Sequence, residues 1–187
     1  MGAGRRGIGV RRRGVEPAAQ RRSHAIAGGN AWRTVFACHP QSAPITEQAF
    51  AGKPVALFFG FTHCPEICPT TLLEMSDWLE SLGPEGAAID AYFVTVDPER
   101  DTPQVLGEYI APFPRITGIT GDLPGISAMA SAWKVYFKKQ PLDGGGYTMD
   151  HTASIFLVKP DGTFQGTIAY GENAETAKEK LRNLTKG

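Results

Sequence analysis

Two cysteines stand where the sequence predicts reactive chemistry. Cys64 and Cys68 lie in the stretch 58–71, FFGFTHCPEICPTT, which begins as an apolar strand and ends as the opening of a helix. The carboxyl end of a strand is where α/β folds place functional groups. A helix start also offers free N–H groups and positive partial charge, which favour thiolate over thiol. The context therefore predicts two accessible, reactive sulfurs rather than two small hydrophobic residues packed in a core.

The spacing of the two cysteines limits what they can do. Three residues separate Cys64 from Cys68, so on a helix both sulfurs would face the same side. A thioredoxin-type redox motif has only two intervening residues. Thiolates favour Cu(I) or zinc, but two sulfurs do not fill a tetrahedral zinc site and the chain has no second cysteine pair. We therefore expect a third ligand from elsewhere in the chain.

Histidine supplies the best candidate for that third ligand. His24 and His39 lie in an atypical N-terminal region, and the His63 side chain is expected to point away from the neighbouring cysteine. His151 follows the glycines at 144–146 and precedes a predicted strand. In a thioredoxin-like fold, the loop before this strand faces the cysteine loop. The fold, and not the sequence spacing, therefore makes His151 the candidate.

The remaining sequence predicts an α/β fold. Apolar runs and turn signals alternate, and a hairpin turn at Asp161-Gly162 precedes the last helix. Residues 135–139 are expected to be extended, and 141–147 to form a mobile loop. The predicted strands are 55–61, 89–96, 116–120, 152–159 and 163–169, and the predicted helices are 70–82, 103–110, 123–133 and 174–184. This order is typical of a thioredoxin-like three-layer sandwich, with a central mixed sheet and flanking helices.

Composition divides the chain into a tail and one domain. Residues 1–40 carry eight arginines and one acidic residue, whereas the rest carries eleven basic and eighteen acidic residues. We predict that residues 1–43 are an Arg-rich tail, either disordered or due to an incorrectly assigned start, and that 44–187 form the folded domain. A transit peptide or a nucleic-acid-binding arm are alternatives for the tail, but no nucleic-acid partner is expected. Cys38 is left over, and this cysteine count excludes a disulfide-stapled scaffold.

Three motifs follow one another along the domain. They are GFTHCPEICPTTL at 60–72, VDPERDTP at 96–103, and Asp150-His151 before a strand that ends in KPDG at 159–162. Together they resemble the Sco/SenC family of copper-binding assembly factors for cytochrome c oxidase, from about residue 45 to the C-terminus. The resemblance implies a thioredoxin-like fold that binds Cu(I) and Cu(II), with the metal ligands Cys64, Cys68 and His151.

The same resemblance implies a role, partners and a location. Family members mature the binuclear copper site of oxidase subunit II, so this subunit and other copper chaperones are the implied partners. The implied location is the periplasmic side of a bacterial inner membrane, or the mitochondrial intermembrane space in a eukaryote. Some members also reduce the cysteines of that subunit. We expect a copper carrier rather than an enzyme, with thiol–disulfide reductase activity left open.

Residues 1–44 lack two features that family members usually have. Members begin with a membrane anchor and continue with a β-hairpin rich in Gly and Phe, and neither pattern occurs here. No run of 18 or more apolar residues exists anywhere in the chain, and no export signal is visible. Either the start is incorrectly assigned or the chain lacks an edge of the sheet. Membrane association is therefore expected only if an anchor lies upstream. The family also more often has Asp in place of Glu66.

The expected mechanism is a copper carrier with a movable ligand. Two thiolates hold Cu(I), and His151 completes a three-coordinate site as a neutral imidazole, so acid should weaken binding. The glycines at 144–146 would let the loop that carries His151 swing. Asp150 either orients His151 or the partner, or is merely solvated. The charged run 97–101 is expected to form a docking rim near the cysteines, or only helix caps and local ion pairs.

The main alternative is a thiol–disulfide oxidoreductase in which Cys64 or Cys68 is the attacking thiolate. The fold and the cysteine pair support it. The three-residue spacer counts against it, as does His151 where thioredoxins have a cis-proline. A peroxidase is disfavoured because residues 60–62 do not match the loop that precedes a peroxidase cysteine.

Overall fold

Eight strands and five helices are present in the part of the chain that the computed structural model describes, residues 35–37 and 45–186. The strands are β1 Val35–Ala37, β2 Val55–Gly60, β3 Asp90–Thr95, β4 Ile116–Gly121, β5 Phe137–Pro141, β6 Tyr147–His151, β7 Ser154–Val158 and β8 Phe164–Ala169. The helices are α1 Ile67–Ser81, α2 Pro84–Ala87, α3 Pro103–Ile110, α4 Leu123–Ala132 and α5 Ala174–Thr185, and a 3-10 helix spans Glu47–Phe50. The predictions for His24, Cys38, His39 and most of the Arg-rich tail lie outside the described residues. The domain boundary at 43/44 stays a prediction.

The larger sheet is organised around β2. It has six strands in the order β1-β4-β3-β2-β7-β8. Strand β2 pairs in parallel with β3 and antiparallel with β7, and β3 pairs in parallel with β4. All six residues of β2 are buried, as expected for an apolar strand covered on both faces. Helix α1 contacts α5, while α3 and α4 contact β4. The sheet is therefore mixed and flanked by helices, as predicted.

Helix starts follow local sequence signals. Helix α3 begins at Pro103, and the Thr102 side chain accepts a hydrogen bond from the backbone N–H of Val105, as an N-cap residue does. Helix α1 begins at Ile67, earlier than predicted, because Pro69 fits in the first turn, where its missing N–H has no partner to lose. No helix in the described ranges is long and apolar enough to span a membrane.

Strands β5 and β6 form a separate two-stranded hairpin that the sequence analysis did not predict. Phe137 pairs with His151 at one end, and Pro141 pairs with Tyr147 at the other, next to the turn. Gly145 and Gly146 have φ angles of +88° and +77° in this turn, a conformation that favours glycine. The expected mobile loop is therefore the tip of a hairpin, and the expected swing of His151 stays a prediction. His151 ends β6 instead of preceding a strand that begins at residue 152.

The short strand β1 adds an edge to the larger sheet. Val35–Ala37 pairs antiparallel with residues 119–121 of β4. This strand lies within the region that the sequence analysis assigned to the tail. Three residues are too few for an alternating pattern to be recognised, so the strand could not be predicted from periodicity.

Candidate metal centre

The two cysteines lie at the junction between β2 and α1. Cys64 precedes the helix and Cys68 is its second residue. The backbone N–H of Cys68 donates to the Cys64 sulfur across 3.4 Å. This contact satisfies one of the free N–H groups at the helix start, where Glu66 makes no side-chain cap. The sulfurs converge as the spacing predicts, although only Cys68 lies in the helix.

Both cysteine side chains are buried, so the prediction of an accessible pair is wrong. Cys64 is 9% exposed and Cys68 is fully buried in the core. The flanking residues suggested exposure, and Pro65 and Glu66 are indeed exposed. Their side chains face solvent while the sulfurs on either side of them turn inward.

Gly60 makes room for the Cys68 sulfur, a role that the sequence analysis missed. A Cβ atom on Gly60 would lie 2.7 Å from Cys68 Sγ and 2.6 Å from Cε2 of Phe93. Both distances are too short for van der Waals contact, so a larger residue would displace the sulfur or the ring. A glycine at the end of a strand of bulky apolar residues is the sequence signal for such a close approach.

His151 brings an imidazole to the sulfurs from the end of β6. Its Nε2 atom lies 3.6 Å from Cys68 Sγ, and its Nδ1 atom lies 3.1 Å from the carbonyl oxygen of Thr152. A carbonyl only accepts hydrogen bonds, so the proton of the neutral ring is assigned to Nδ1. The Nε2 lone pair therefore faces the sulfur. Phe58 and Phe61 pack edge-on against the ring, with centroid distances of 6.2 and 5.7 Å.

Cys64, Cys68 and His151 form the one group in the described part of the chain that has the ligand types and spacing for a metal ion. One donor atom from each residue lies within 4.8 Å of the other two. Two sulfurs and one imidazole nitrogen are soft to borderline donors, which suit Cu(I) or zinc. The geometry thus brings together the three residues that the sequence analysis selected.

The two sulfurs differ in acidity because they share one proton. A hydrogen bond from the Cys68 side chain lowers the pKa of Cys64 to about 4, and burial opposes this effect. The contact with Cys64, together with burial, raises the pKa of Cys68 above its ordinary range. At neutral pH the pair therefore consists of a Cys64 thiolate and a Cys68 thiol.

The acidic residues of the run 97–101 do not all form the expected docking rim. Asp97 and Asp101 are 1% and 0% exposed. Asp101 accepts hydrogen bonds from the backbone and side chain of Thr62, and Asp97 accepts one from the Tyr147 hydroxyl. Only Glu99 is half-exposed, and it pairs with a lysine of β5. The two aspartates are therefore buried, and they hold neighbouring residues of the site by hydrogen bonds.

Two further candidates lie outside the donor group. Asp150 is exposed and accepts a hydrogen bond from Gln140, so it does not orient the His151 ring. The His63 side chain is half-exposed and lies against Thr62, with 3.0 Å between Nδ1 and Oγ1. Its position agrees with the expectation that it points away from the cysteines.

A cleft connects the centre to the surface. Its volume is about 530 Å³, and its lining includes Phe61, Cys64, Ile67, Tyr136, Met149 and His151. Cys64 and His151 line this cleft, whereas Cys68 lies behind them. A ligand from another molecule can therefore approach the donor group from one side.

Comparison with known proteins identifies the family. A family model described as SCO1/SenC matches residues 30–186. The chain belongs to the SCO1/SenC family. Curated relatives include the mitochondrial protein SCO2 of Saccharomyces cerevisiae, which is 36% identical over 144 residues, 74% of this chain and 48% of the relative. The mitochondrial SCO2 homolog of Bos taurus is 36% identical over 71% of this chain and 52% of its own length. The chain thus spans about half the length of the curated relatives it matches.

Solved structures of the SCO1/SenC family confirm the thioredoxin-like fold. Copper-bound ScoI of Bradyrhizobium japonicum is 38% identical, with a TM-score of 0.72 over 81% of this chain and 96% of that one. Copper-bound yeast Sco1 is 31% identical, with a TM-score of 0.74 over 82% of this chain and 86% of that one. Copper is therefore bound in two relatives, and the Cys-Cys-His group of this chain is able to hold a metal.

The acidity of Cys64 predicts how the metal-free protein reacts with iodoacetamide. With a pKa of about 4, Cys64 is already a thiolate at pH 6, so its alkylation rate should change little between pH 6 and 8. An ordinary thiol gains roughly tenfold in thiolate for each pH unit below its pKa of about 8.5. Peptide mapping should show modification of Cys64 before Cys68. The denatured protein is the control, and a tenfold rise per pH unit at Cys64 in the folded protein would contradict the assignment.

The close packing around Gly60 predicts that a methyl group at this position destabilises the fold. Gly60→Ala should lower the free energy of unfolding by about 1–3 kcal/mol, because the new Cβ overlaps Cys68 and Phe93. Urea denaturation measures the change. Gly166→Ala in β8 is the matched control, since no atom lies within 4 Å of the added Cβ there. Equal effects of the two substitutions would show that the overlap at Gly60 does not matter.

Proposed function

We propose that the chain is a copper carrier and that Cys64, Cys68 and His151 hold its cargo ion. The observation that carries this proposal is the meeting of two sulfurs and an imidazole nitrogen within 4.8 Å of one another. Such donors favour Cu(I) or zinc. The copper-bound relatives support copper rather than zinc, and we expect Cu(II) to bind as well.

Three ligands beside an open cleft suit transfer better than permanent storage. A structural zinc site is closed by four protein ligands, whereas the described residues offer three here. The cleft of about 530 Å³ leaves one side of the donor group open to another molecule. A ligand of the recipient can therefore bind copper before the ligands of the carrier release it, so the ion never has to be free in solution.

We infer that the recipient is the binuclear copper site of cytochrome c oxidase subunit II, and that other copper chaperones supply the ion. Membership of the SCO1/SenC family supports this inference. The two curated relatives named above are mitochondrial, which favours the intermembrane space for a eukaryotic chain. For a bacterial chain, the corresponding place is the periplasmic side of the inner membrane.

A thiol–disulfide oxidoreductase is the second candidate, and the different acidities of the two cysteines favour it. The Cys64 thiolate would attack a partner disulfide, form a mixed disulfide and release one partner thiolate. Cys68 would then lose its proton to the released partner thiolate and displace the second partner sulfur. The products are a Cys64–Cys68 disulfide and a reduced partner, so the two electrons come from the cysteine pair.

Replacement of His151 separates the two candidates. In a Cys38→Ser background, His151→Ala should lower Cu(I) affinity at least about tenfold, because loss of a ligand costs no less than loss of a group that supports one. Competition with a chromophoric Cu(I) chelator measures the affinity. Disulfide exchange with a model peptide should continue, because both sulfurs remain.

His63→Ala is the matched control, because this exposed imidazole lies outside the donor group. It should leave Cu(I) affinity unchanged. Cys64→Ser and Cys68→Ser should each abolish both copper binding and exchange. If His151→Ala binds Cu(I) as tightly as the parent protein, His151 is not a ligand. If the parent binds no Cu(I) but exchanges disulfides rapidly, the oxidoreductase is the correct function.

A further inference from the structure

The segment 97–101 lies between the two halves of the proposed copper site. It connects β3 to α3 and contains two buried carboxylates, Asp97 and Asp101. Burying a carboxylate is unfavourable unless hydrogen bonds replace its lost water. The partners of each aspartate therefore show what the segment holds in place.

Asp101 holds the half of the site that carries the sulfurs. Its Oδ1 atom accepts a hydrogen bond from Thr62 Oγ1 at 2.6 Å, and its Oδ2 atom accepts one from the Thr62 backbone N–H at 3.0 Å. Oδ2 also accepts a hydrogen bond from Thr95 Oγ1 at 2.5 Å. Thr62 lies two residues before Cys64, so these bonds fix the cysteine loop to the end of β3.

Asp97 holds the half that carries the imidazole. The Tyr147 hydroxyl donates to Asp97 Oδ1 at 2.8 Å, and Arg100 Nε donates to Asp97 Oδ2. Arg100 also donates from Nη1 to the Tyr147 carbonyl at 3.0 Å, and its guanidinium carbon lies 3.8 Å from the centroid of the Tyr147 ring. We name Asp97, Arg100 and Tyr147 the latch. Tyr147 is the first residue of β6 and His151 is the last. The latch therefore holds the strand that carries the imidazole.

The hairpin needs such a support because its two strands do not belong to the six-stranded sheet. Pairing of β7 with β2 fixes the chain just after His151, but no backbone pairing in the described part of the chain ties the Tyr147 end of β6 to that sheet. The ion pair between Lys139 and Glu99 is a second contact between the hairpin and the segment 97–101. Both side chains are half-exposed, and exposed ion pairs contribute little to stability. The latch is more shielded from solvent than this ion pair, because Asp97 is buried and the Arg100 side chain is only 24% exposed.

We propose that Tyr147, held by Asp97 and Arg100, is a positioning residue that keeps His151 within reach of the sulfurs. This inference rests on the proposed copper site. The latch acts before the metal arrives, because it limits the positions of the imidazole and so reduces the ordering that binding would otherwise require. Loosening the latch should weaken copper binding only through His151.

A double-mutant cycle tests that dependence. Tyr147→Phe removes one hydroxyl and keeps the ring, so it should lower Cu(I) affinity about tenfold, the cost of one hydrogen bond to a charged acceptor. In the His151→Ala background the same change should alter affinity less than about twofold. Tyr170→Phe is the matched control, since this exposed tyrosine lies outside the latch and the donor group and should have no effect. Equal losses in both backgrounds would overturn the positioning role.

A metal-free measurement keeps this inference separate from the proposed function. Hydrogen exchange in the absence of copper should be faster for amides 147–151 in Tyr147→Phe than in the parent, and unchanged for amides 67–81 of α1. Arg100→Lys should act in the same direction, because a lysine cannot make the same stacked, two-armed contact. Unchanged exchange at 147–151 in both variants would overturn the latch. Failure of the parent to bind Cu(I), with faster exchange in the variants, would overturn the copper function and leave the latch supported.

Discussion

The pairing of β2 with its two neighbours brings together the residues of the proposed metal centre. Strand β2 runs parallel to β3 and antiparallel to β7. The carboxyl ends of β2 and β3 and the amino end of β7 therefore meet at one edge of the sheet. The cysteine loop follows β2, the aspartate-rich segment 97–101 follows β3, and His151 precedes β7. Three segments that are distant in sequence thus come together because one buried strand has these two partners.

Strong local signals explain why the sequence predicted so much of this arrangement. The apolar run of β2 and the cap at Thr102 are short-range features, and most of the predicted strands and helices occur. Cys64 and Cys68 are ligand candidates by residue type and spacing alone. His151 required one further step, since only an assumed fold could bring a residue so far along the chain to the cysteines. The site was therefore predictable only as far as the fold was.

The sequence-based predictions failed where tertiary packing, rather than a local sequence pattern, determines the structure. The hairpin of β5 and β6 buries little, and residues such as Lys138, Lys139 and Asp150 are exposed, so no alternation marks its strands. Asp97 and Asp101 looked like surface charges because aspartates usually are. Their partners Tyr147 and Thr62 lie 50 and 39 residues away, and no local pattern reveals such bonds. The burial of the sulfurs likewise depends on the space beside a glycine.

Charge balance links the proton shared by the two cysteines to the binding of a metal ion. Without a cation, two thiolates next to each other in a buried site would repel, so the pair retains one proton, and Asp101 adds to the negative potential that keeps it on Cys68. A cation that binds both sulfurs must displace that proton and supplies positive charge in its place. Replacing the proton by a monovalent soft cation such as Cu(I) would leave the net charge of the cysteine pair unchanged. In the proposed carrier, release of that cation to a partner would need only one returning proton to avoid two adjacent buried thiolates.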